Sequence, residues 1–78
     1  MFEPYKNLSG ESGVEAYEYD PELFTWIKVQ FTDGSIYTYT DDSCGWATVL
    51  EMISLAEDGI GLNSYINYNQ PPYEDSTY

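Results

Sequence analysis

Residues 24–40 read FTWIKVQFTDGSIYTYT, and they carry the strongest structural signal in the chain. Ile27, Val29 and Phe31 alternate with the polar residues Lys28 and Gln30, which is the pattern of a half-buried β-strand. An Asp-Gly pair at 33–34 interrupts this run, and β-favouring residues resume after it. Two such runs around Asp-Gly predict a β-hairpin.

The register of this hairpin has two solutions. A two-residue turn places Phe31 opposite Ile36, whereas a three-residue loop with a bulge places Tyr37 and Tyr39 on the same face as Val29. The second register collects more large side chains on one face, so we favour it.

The sequence on either side of the hairpin extends the pattern. Residues 14–19, VEAYEY, predict a further strand that ends at the turn residues Asp20-Pro21. After the hairpin, residues 41–43 (Asp-Asp-Ser) offer oxygens that can cap a helix N-terminus. A helical stripe follows and ends at a candidate C-cap, Gly59. The stripe consists of Trp46, Val49, Leu50 and Ile53.

These signals predict one small α+β domain. We expect a three-stranded antiparallel sheet with one helix packed on a face, formed by residues 13–69. Residues 1–12 and 70–78 are polar and rich in turn residues, so they are expected to form a flexible N-terminal arm and a flexible C-terminal tail. Residues 64–68 fit either a short strand or a helical turn.

The charge of the chain is extreme. Its 78 residues include 14 acidic side chains, two basic ones and no histidine, for a net charge of -12. A small domain needs a net charge of only roughly 2–8 for solubility, and a larger excess destabilises the compact state. Nine Tyr, three Phe and two Trp still supply core formers, so we expect a folded chain. The excess fits a partner whose surface is lined with Lys and Arg, and halophilic adaptation is the alternative.

Composition also argues against several kinds of chemistry. The absence of histidine excludes Ser-His and Cys-His nucleophiles. The single Cys44 excludes an internal disulfide, fits a reducing compartment and has no companion for zinc. The acid pairs at 41–42 and 57–58 lack the loop of a calcium site. We therefore expect no enzyme activity, cofactor or metal.

Without a membrane-spanning stretch or a targeting segment, we also expect no membrane contact and a cytoplasmic location in a bacterial host.

Several short motifs resemble those of the small KTSC-type domain. That domain occurs at the C-terminus of some lysyl-tRNA synthetases and as stand-alone proteins of bacteria and phages. The resemblance covers residues 14–68. The matching motifs are Tyr19-Asp20, Val29-x-Phe31, Gly34-x-Ile36-Tyr37-x-Tyr39, Val49-Leu50, Ala56 and Gly59-x-Gly61-Leu62-Asn63-x-Tyr65-Ile66.

The chain departs from that family in its charge. The family is associated with nucleic-acid-handling contexts, and its members usually carry Lys or Arg around the last motif. Here the corresponding positions are Ser64, Asn67 and Tyr68, followed by the acidic pair at 74–75. The resemblance therefore implies a scaffold whose basic face has become neutral or acidic. If the family binds nucleic acid, we expect this member to imitate the nucleic acid and not to bind it.

The function predicted from these features is inhibition by nucleic-acid mimicry. We expect a phage-type or mobile-element protein that occupies the Lys/Arg groove of a bacterial defence protein, as anti-CRISPR or anti-restriction proteins do. The alternatives are a KTSC-like accessory module that binds other proteins, and an immunity protein against a nuclease toxin. Exposed Tyr adds rigid contact area at interfaces. The candidate partner-binding residues are Asp41, Asp42, Glu51, Glu57 and Asp58, with Tyr65 and Tyr68 as aromatic anchors.

Overall fold

The computed structural model describes residues 2–10 and 12–77. In this part of the chain, five antiparallel strands pair in sequence order and three helices complete the fold. The elements are β1 (Glu3–Pro4), β2 (Val14–Tyr19), β3 (Trp26–Phe31), β4 (Ile36–Thr40), α1 (Asp41–Cys44), α2 (Trp46–Asp58), α3 (Leu62–Asn69) and β5 (Asp75–Thr77).

The prediction of a three-stranded sheet with one helix is therefore wrong. The two additional strands come from the segments for which the sequence predicts an arm and a tail. β1 pairs with β2 through Glu3 opposite Tyr17, and β5 pairs with β4 through Thr77 opposite Ile36. β1 has two residues and β5 has three, so neither is long enough to show an alternating pattern. Each pairs with the free edge of a longer strand, β1 with β2 and β5 with β4.

The predicted hairpin and its favoured register are confirmed. Ile27 lies opposite Tyr39 and Val29 opposite Tyr37 across β3 and β4. Asp33 stabilises the loop, because its Oδ1 accepts hydrogen bonds from the Ser35 N–H at 2.9 Å and from the Ser35 hydroxyl at 2.7 Å. These bonds stabilise the charged carboxylate and lower the pKa of Asp33.

Alternation along β3 separates a buried face of the sheet from an outer one. Ile27 and Val29 are fully buried in the core, together with Val49 and Met52 of α2 and Leu62 of α3. The other face carries the half-buried side chains of Trp26, Lys28 and Gln30. The core thus lies between one face of the sheet and the helices.

The start of the helical region differs from the prediction. The N-cap of the short helix α1 is Thr40, whose hydroxyl accepts the Ser43 N–H at 3.0 Å. Of the three predicted capping residues, Ser43 takes part, because its hydroxyl accepts the Thr40 N–H at 2.9 Å and completes a capping box. α2 then begins at Trp46, whose side chain is 54% exposed and does not join the buried stripe. The indole of this first helical residue lies over the β2–β3 turn, where its Nε1 donates to the Leu23 carbonyl at 3.4 Å. The buried stripe of α2 consists of Val49, Met52, Ile53 and Ala56.

The end of α2 confirms the predicted cap. Gly59 has a left-handed backbone (φ 78°), and its N–H donates to the carbonyls of Leu55 and Ala56. The chain then enters α3, so residues 64–68 are helical. Tyr5, from the N-terminal segment, contacts the start of α3. Its side chain is 6% exposed, and its hydroxyl accepts the Leu62 N–H at 3.2 Å.

Candidate protein-binding surface

The five predicted acidic site residues all lie on α1 and α2, and all are exposed. Asp41 and Asp42 form the first turn of α1, and Glu57 and Asp58 lie in the last turn of α2. α2 has 13 residues, and at ~1.5 Å per residue it extends for about 20 Å. The two acid pairs therefore flank opposite ends of α2 and do not form one cluster.

The exposed side of α2 carries two of these acids. Glu51 and Asp58 are seven residues apart and, with Ala47 and Ser54, form an exposed ridge opposite the buried stripe. Their separation along the helix axis is about 10 Å. This ridge and α1 give the helical side of the molecule an acidic surface. Residues 41–69 contain five acidic side chains and no Lys or Arg.

Glu57 differs from the other four acids because its side chain forms a hydrogen bond with a residue of the sheet. The Tyr17 hydroxyl donates to its Oε2 at 3.2 Å, which links α2 to β2. Burial, followed by the neighbouring Glu57 carboxylate, raises the pKa of Tyr17 to about 12. A hydrogen bond to Glu57, with burial, also raises the pKa of Tyr19. This link could not be predicted from the sequence, since no local pattern relates residues on different elements.

A groove of about 760 Å³ opens beside this link, and we call it the acidic aromatic groove. Three acidic and three aromatic residues line it, together with Lys6. They come from both faces of the sheet, because Glu3, Tyr17 and Tyr19 lie on the core face and Glu18 and Trp26 on the outer face. The rings of Tyr17 and Tyr19 are parallel, with centroids 6.2 Å apart. The carboxylates belong to Glu3, Glu18 and Glu57, and the rings to Tyr17, Tyr19 and Trp26.

The two predicted aromatic anchors have different environments. Tyr65 is half-buried and packs against the core, whereas Tyr68 is 90% exposed. Trp46, which was not predicted as an anchor, is also exposed and lies beside Leu23, a residue 69% exposed. Trp is enriched at the energetic centres of interfaces. No local signal distinguishes an exposed first-turn Trp from a buried one, because its exposure depends on whether the sheet extends beneath it.

A second groove, of about 630 Å³, lies between α3 and the β3–β4 hairpin. Tyr73 packs edge-on against Tyr37, with ring centroids 4.8 Å apart, and Phe31 meets Tyr37 in the same way at 5.6 Å. The Pro-Pro-Tyr segment at 71–73 therefore contributes to intramolecular aromatic packing, with Pro71 buried and Tyr73 half exposed.

Other kinds of site find no support in the described residues. Among residues 2–10 and 12–77, no three Cys, Asp or Glu side chains are grouped so that they could hold a metal ion. Burial raises the pKa of the half-buried Cys44 thiol. Within the same ranges, no helix has the length and apolar character needed to cross a bilayer.

Comparison of the chain with protein-family models, with curated proteins and with solved structures gives no match. The KTSC resemblance therefore remains a prediction. Residues that carry it have structural roles here: Gly59 and Gly61 adopt left-handed backbone, and Leu62 is fully buried. These residues stabilise the fold and do not identify a binding surface.

Proposed function

We propose that this chain is a small acidic binding protein that inhibits a nucleic-acid-binding protein of a bacterial defence system. It would do so in the cytoplasm of a bacterial host, without enzyme activity of its own, by occupying a Lys/Arg groove. A CRISPR effector or a restriction enzyme is the expected target. The observation that supports this proposal is that the exposed charges of the helical side all have one sign. The helical region, residues 41–69, holds five acids and no basic residue, and both Lys lie outside it.

The mechanism follows from this surface. Exposed carboxylates at both ends of α2 and along its ridge attract a basic groove, and such attraction accelerates association and weakens as salt rises. Tyr68 and Trp46 add exposed aromatic area to the same helical side. Inhibition would be steric, because the groove cannot hold both this protein and its nucleic acid.

The first test is a pull-down with the tagged protein from lysates of bacteria that carry CRISPR and restriction systems. We expect capture of a nucleic-acid-binding effector, identified by mass spectrometry, that duplex DNA or raised salt releases. The purified effector should lose activity when the protein is added. A captured partner that neither DNA nor salt releases would contradict the mimicry mechanism.

A matched pair of charge-reversal variants tests the surface. Asp41→Lys, Asp42→Lys and Asp58→Lys together should reduce affinity for the effector roughly 10- to 100-fold, at about 0.5–1 kcal/mol for each lost pair. The control variant carries Glu15→Lys, Glu22→Lys and Asp75→Lys, which make the same charge change outside the helical side. Equal losses in the two folded variants would show that net charge alone, and not this surface, governs binding.

A KTSC-like accessory module is the second candidate, and the outer face of the sheet favours it. Trp26, Lys28 and Ile36 are half-buried on this face, with the Lys28 ammonium 5.7 Å from the centre of the Trp26 ring. In an accessory module this face would bind a partner protein. Ile36→Glu should then abolish an interaction that is insensitive to DNA, while the charge-reversal variants retain it.

A further inference from the structure

We infer that Trp46 and Leu23 form the anchor point on which a basic protein partner packs an apolar side chain flanked by Lys or Arg. We call these two residues the Trp46–Leu23 patch. Their side chains are 54% and 69% exposed. The inference deepens the proposed function and rests on it for the kind of partner.

The Trp46–Leu23 patch joins the start of α2 to the β2–β3 turn. The Trp46 indole Nε1 donates to the Leu23 carbonyl at 3.4 Å, so the indole lies against the turn. Turn positions are usually taken by Gly, Pro and small polar residues, and not by Leu. Scattered single apolar side chains are normal on a surface, whereas adjoining ones with polar residues around them mark interaction sites. Trp is also enriched at the energetic centres of interfaces.

The fold does not account for the Leu at this turn, because Phe24 already supplies the apolar side chain that packs inward. The Phe24 ring packs against the core, with its centroid 6.2 Å from that of Tyr19. Phe24 does so with a left-handed backbone (φ 55°), which is rare for a bulky residue. Leu23 is left on the outside and contributes little to the core.

Hydrogen bonds hold the turn that carries Leu23. The Thr25 hydroxyl donates to the Asp20 carboxylate at 2.8 Å, and the Thr25 carbonyl accepts the Asp41 N–H at 2.9 Å. The second bond fixes the turn to the first residue of α1. A surface that is ordered before binding loses less conformational entropy when a partner docks. The patch is therefore preorganised relative to the acids of α1.

Asp41 and Asp42 supply the charge complementarity. Both are exposed on α1, the helix that immediately precedes α2. Neither Lys of the chain lies on this helix, since Lys6 packs on the far end of α2 and Lys28 lies on the outer face of the sheet. An apolar side chain with Lys or Arg beside it meets apolar surface and carboxylates together. A nucleic acid or an anionic lipid surface is repelled by the same carboxylates.

A second pair of exposed apolar residues provides an internal control. Leu8 and Ile60 are 65% and 47% exposed. They lie at the other end of α2, where the Leu8 N–H donates to the Gly59 carbonyl and the Lys6 stem also packs. Leu8 thus matches Leu23 in residue type and exposure. Without an aromatic neighbour and beside a Lys, it should not act as an anchor for a basic partner.

The experiment is a titration of the isotope-labelled full chain with two synthetic peptides, followed by nuclear magnetic resonance. The apolar peptide is acetyl-Gly-Lys-Arg-Leu-Phe-Lys-Arg-Gly amide, and in the control peptide Ser replaces both Leu and Phe, so the charge is the same. We expect the apolar peptide to bind about 5- to 20-fold more tightly. It should shift the Trp46 indole signal and the Leu23 amide saturably.

Leu23→Ser should weaken binding of the apolar peptide about two- to fivefold and leave binding of the control peptide unchanged. Leu8→Ser is the matched variant and should change neither affinity. Asp41→Asn with Asp42→Asn should weaken both peptides to the same degree, because this change removes charge and leaves the apolar area. All these residues are exposed or half-exposed at the surface, and the amide spectrum of each variant verifies its fold.

Equal affinities of the two peptides, or equal losses in Leu23→Ser and Leu8→Ser, would overturn the inference. The titration uses the free protein and is independent of the pull-down. Preference for the apolar peptide without capture of a nucleic-acid-binding partner would refute only the proposed function. Capture of such a partner without this preference would refute only the Trp46–Leu23 patch.

Discussion

At the scale of single residues, Tyr5 ties the N-terminal segment to the helical layer. Its ring belongs to the core, and its hydroxyl accepts the N–H of Leu62, the first residue of α3. This bond satisfies one of the N-terminal donors that an α-helix leaves without an internal partner. Because Leu62 is fully buried, water cannot easily replace the Tyr5 oxygen.

Tyr5→Phe should therefore lower the free energy of unfolding by about 1–3 kcal/mol, the cost of a buried donor without an acceptor. Urea denaturation at pH 7 measures the change. Tyr68→Phe is the control, since Tyr68 is 90% exposed, and its effect should stay within about 0.5 kcal/mol. Equal effects of the two substitutions would show that the Tyr5 hydroxyl contributes little.

Some acidic residues also have roles within the fold. Asp20 accepts the Thr25 hydroxyl at 2.8 Å and the Glu22 N–H at 3.1 Å, which organises the β2–β3 turn. These bonds lower the pKa of Asp20, the Glu22 N–H having the largest effect. Asp33 has the same role in the hairpin loop. These two acids stabilise turns, so the proposed binding surface is built from other carboxylates.

At the scale of elements, the end of α2 depends on a close contact with the N-terminal segment. Gly59 turns the chain in a left-handed conformation, and its carbonyl accepts the Leu8 N–H at 2.7 Å. The Lys6 stem packs against its Cα. Glycine is needed here both for the backbone angle and for the space.

A pair of alanine substitutions separates these two requirements. Gly59→Ala and Gly10→Ala both introduce a side chain at a left-handed position, with φ 78° and 77°, at a cost of about 1–2 kcal/mol. Only Gly59→Ala also meets Lys6, since a Cβ added at Gly10 would have no atom of the described residues within 4 Å beyond its chain neighbours. Gly59→Ala should therefore cost at least about 1 kcal/mol more in chemical denaturation. Similar costs would mean that Lys6 moves aside freely.

At the scale of the whole molecule, charge opposes compactness. A net charge of -12 is distributed around a fold whose radius of gyration is 11.1 Å. The exposed acids of the helical side have no basic neighbour within residues 41–69. Mutual repulsion should therefore reduce stability at low ionic strength, and screening should restore it.

Raising NaCl from 10 to 200 mM should stabilise the protein by about 1 kcal/mol, which corresponds to an increase in Tm of about 4–8 °C for a domain of this size. Scanning calorimetry at pH 7 measures the shift. The double variant Glu51→Gln, Asp58→Asn removes two exposed acids and should show a smaller salt response. A Tm that does not change with salt would show that the acids are too well separated to repel one another.

Local sequence patterns were sufficient for the hairpin, its register, the strand β2 and the end of α2. Alternation, an Asp-Gly turn and a glycine cap act over a few residues, so their effects are readable without the rest of the chain. The outer strands β1 and β5 were not predictable in this way. Two or three residues have no pattern of their own, and their pairing depends on the edges of β2 and β4.

Part of the candidate site could likewise be predicted from local sequence patterns, and part of it depends on packing. The exposed acids of the helical side follow from composition and helix periodicity, because solvated charge falls opposite a buried stripe. The acidic aromatic groove does not, since Glu57 and Tyr17 are 40 residues apart and meet only when α2 packs on the sheet. The exposure of Trp46 and the burial of Tyr5 likewise depend on which elements lie next to them. Contacts between distant segments are a property of packing, and packing leaves no short-range signal in the sequence.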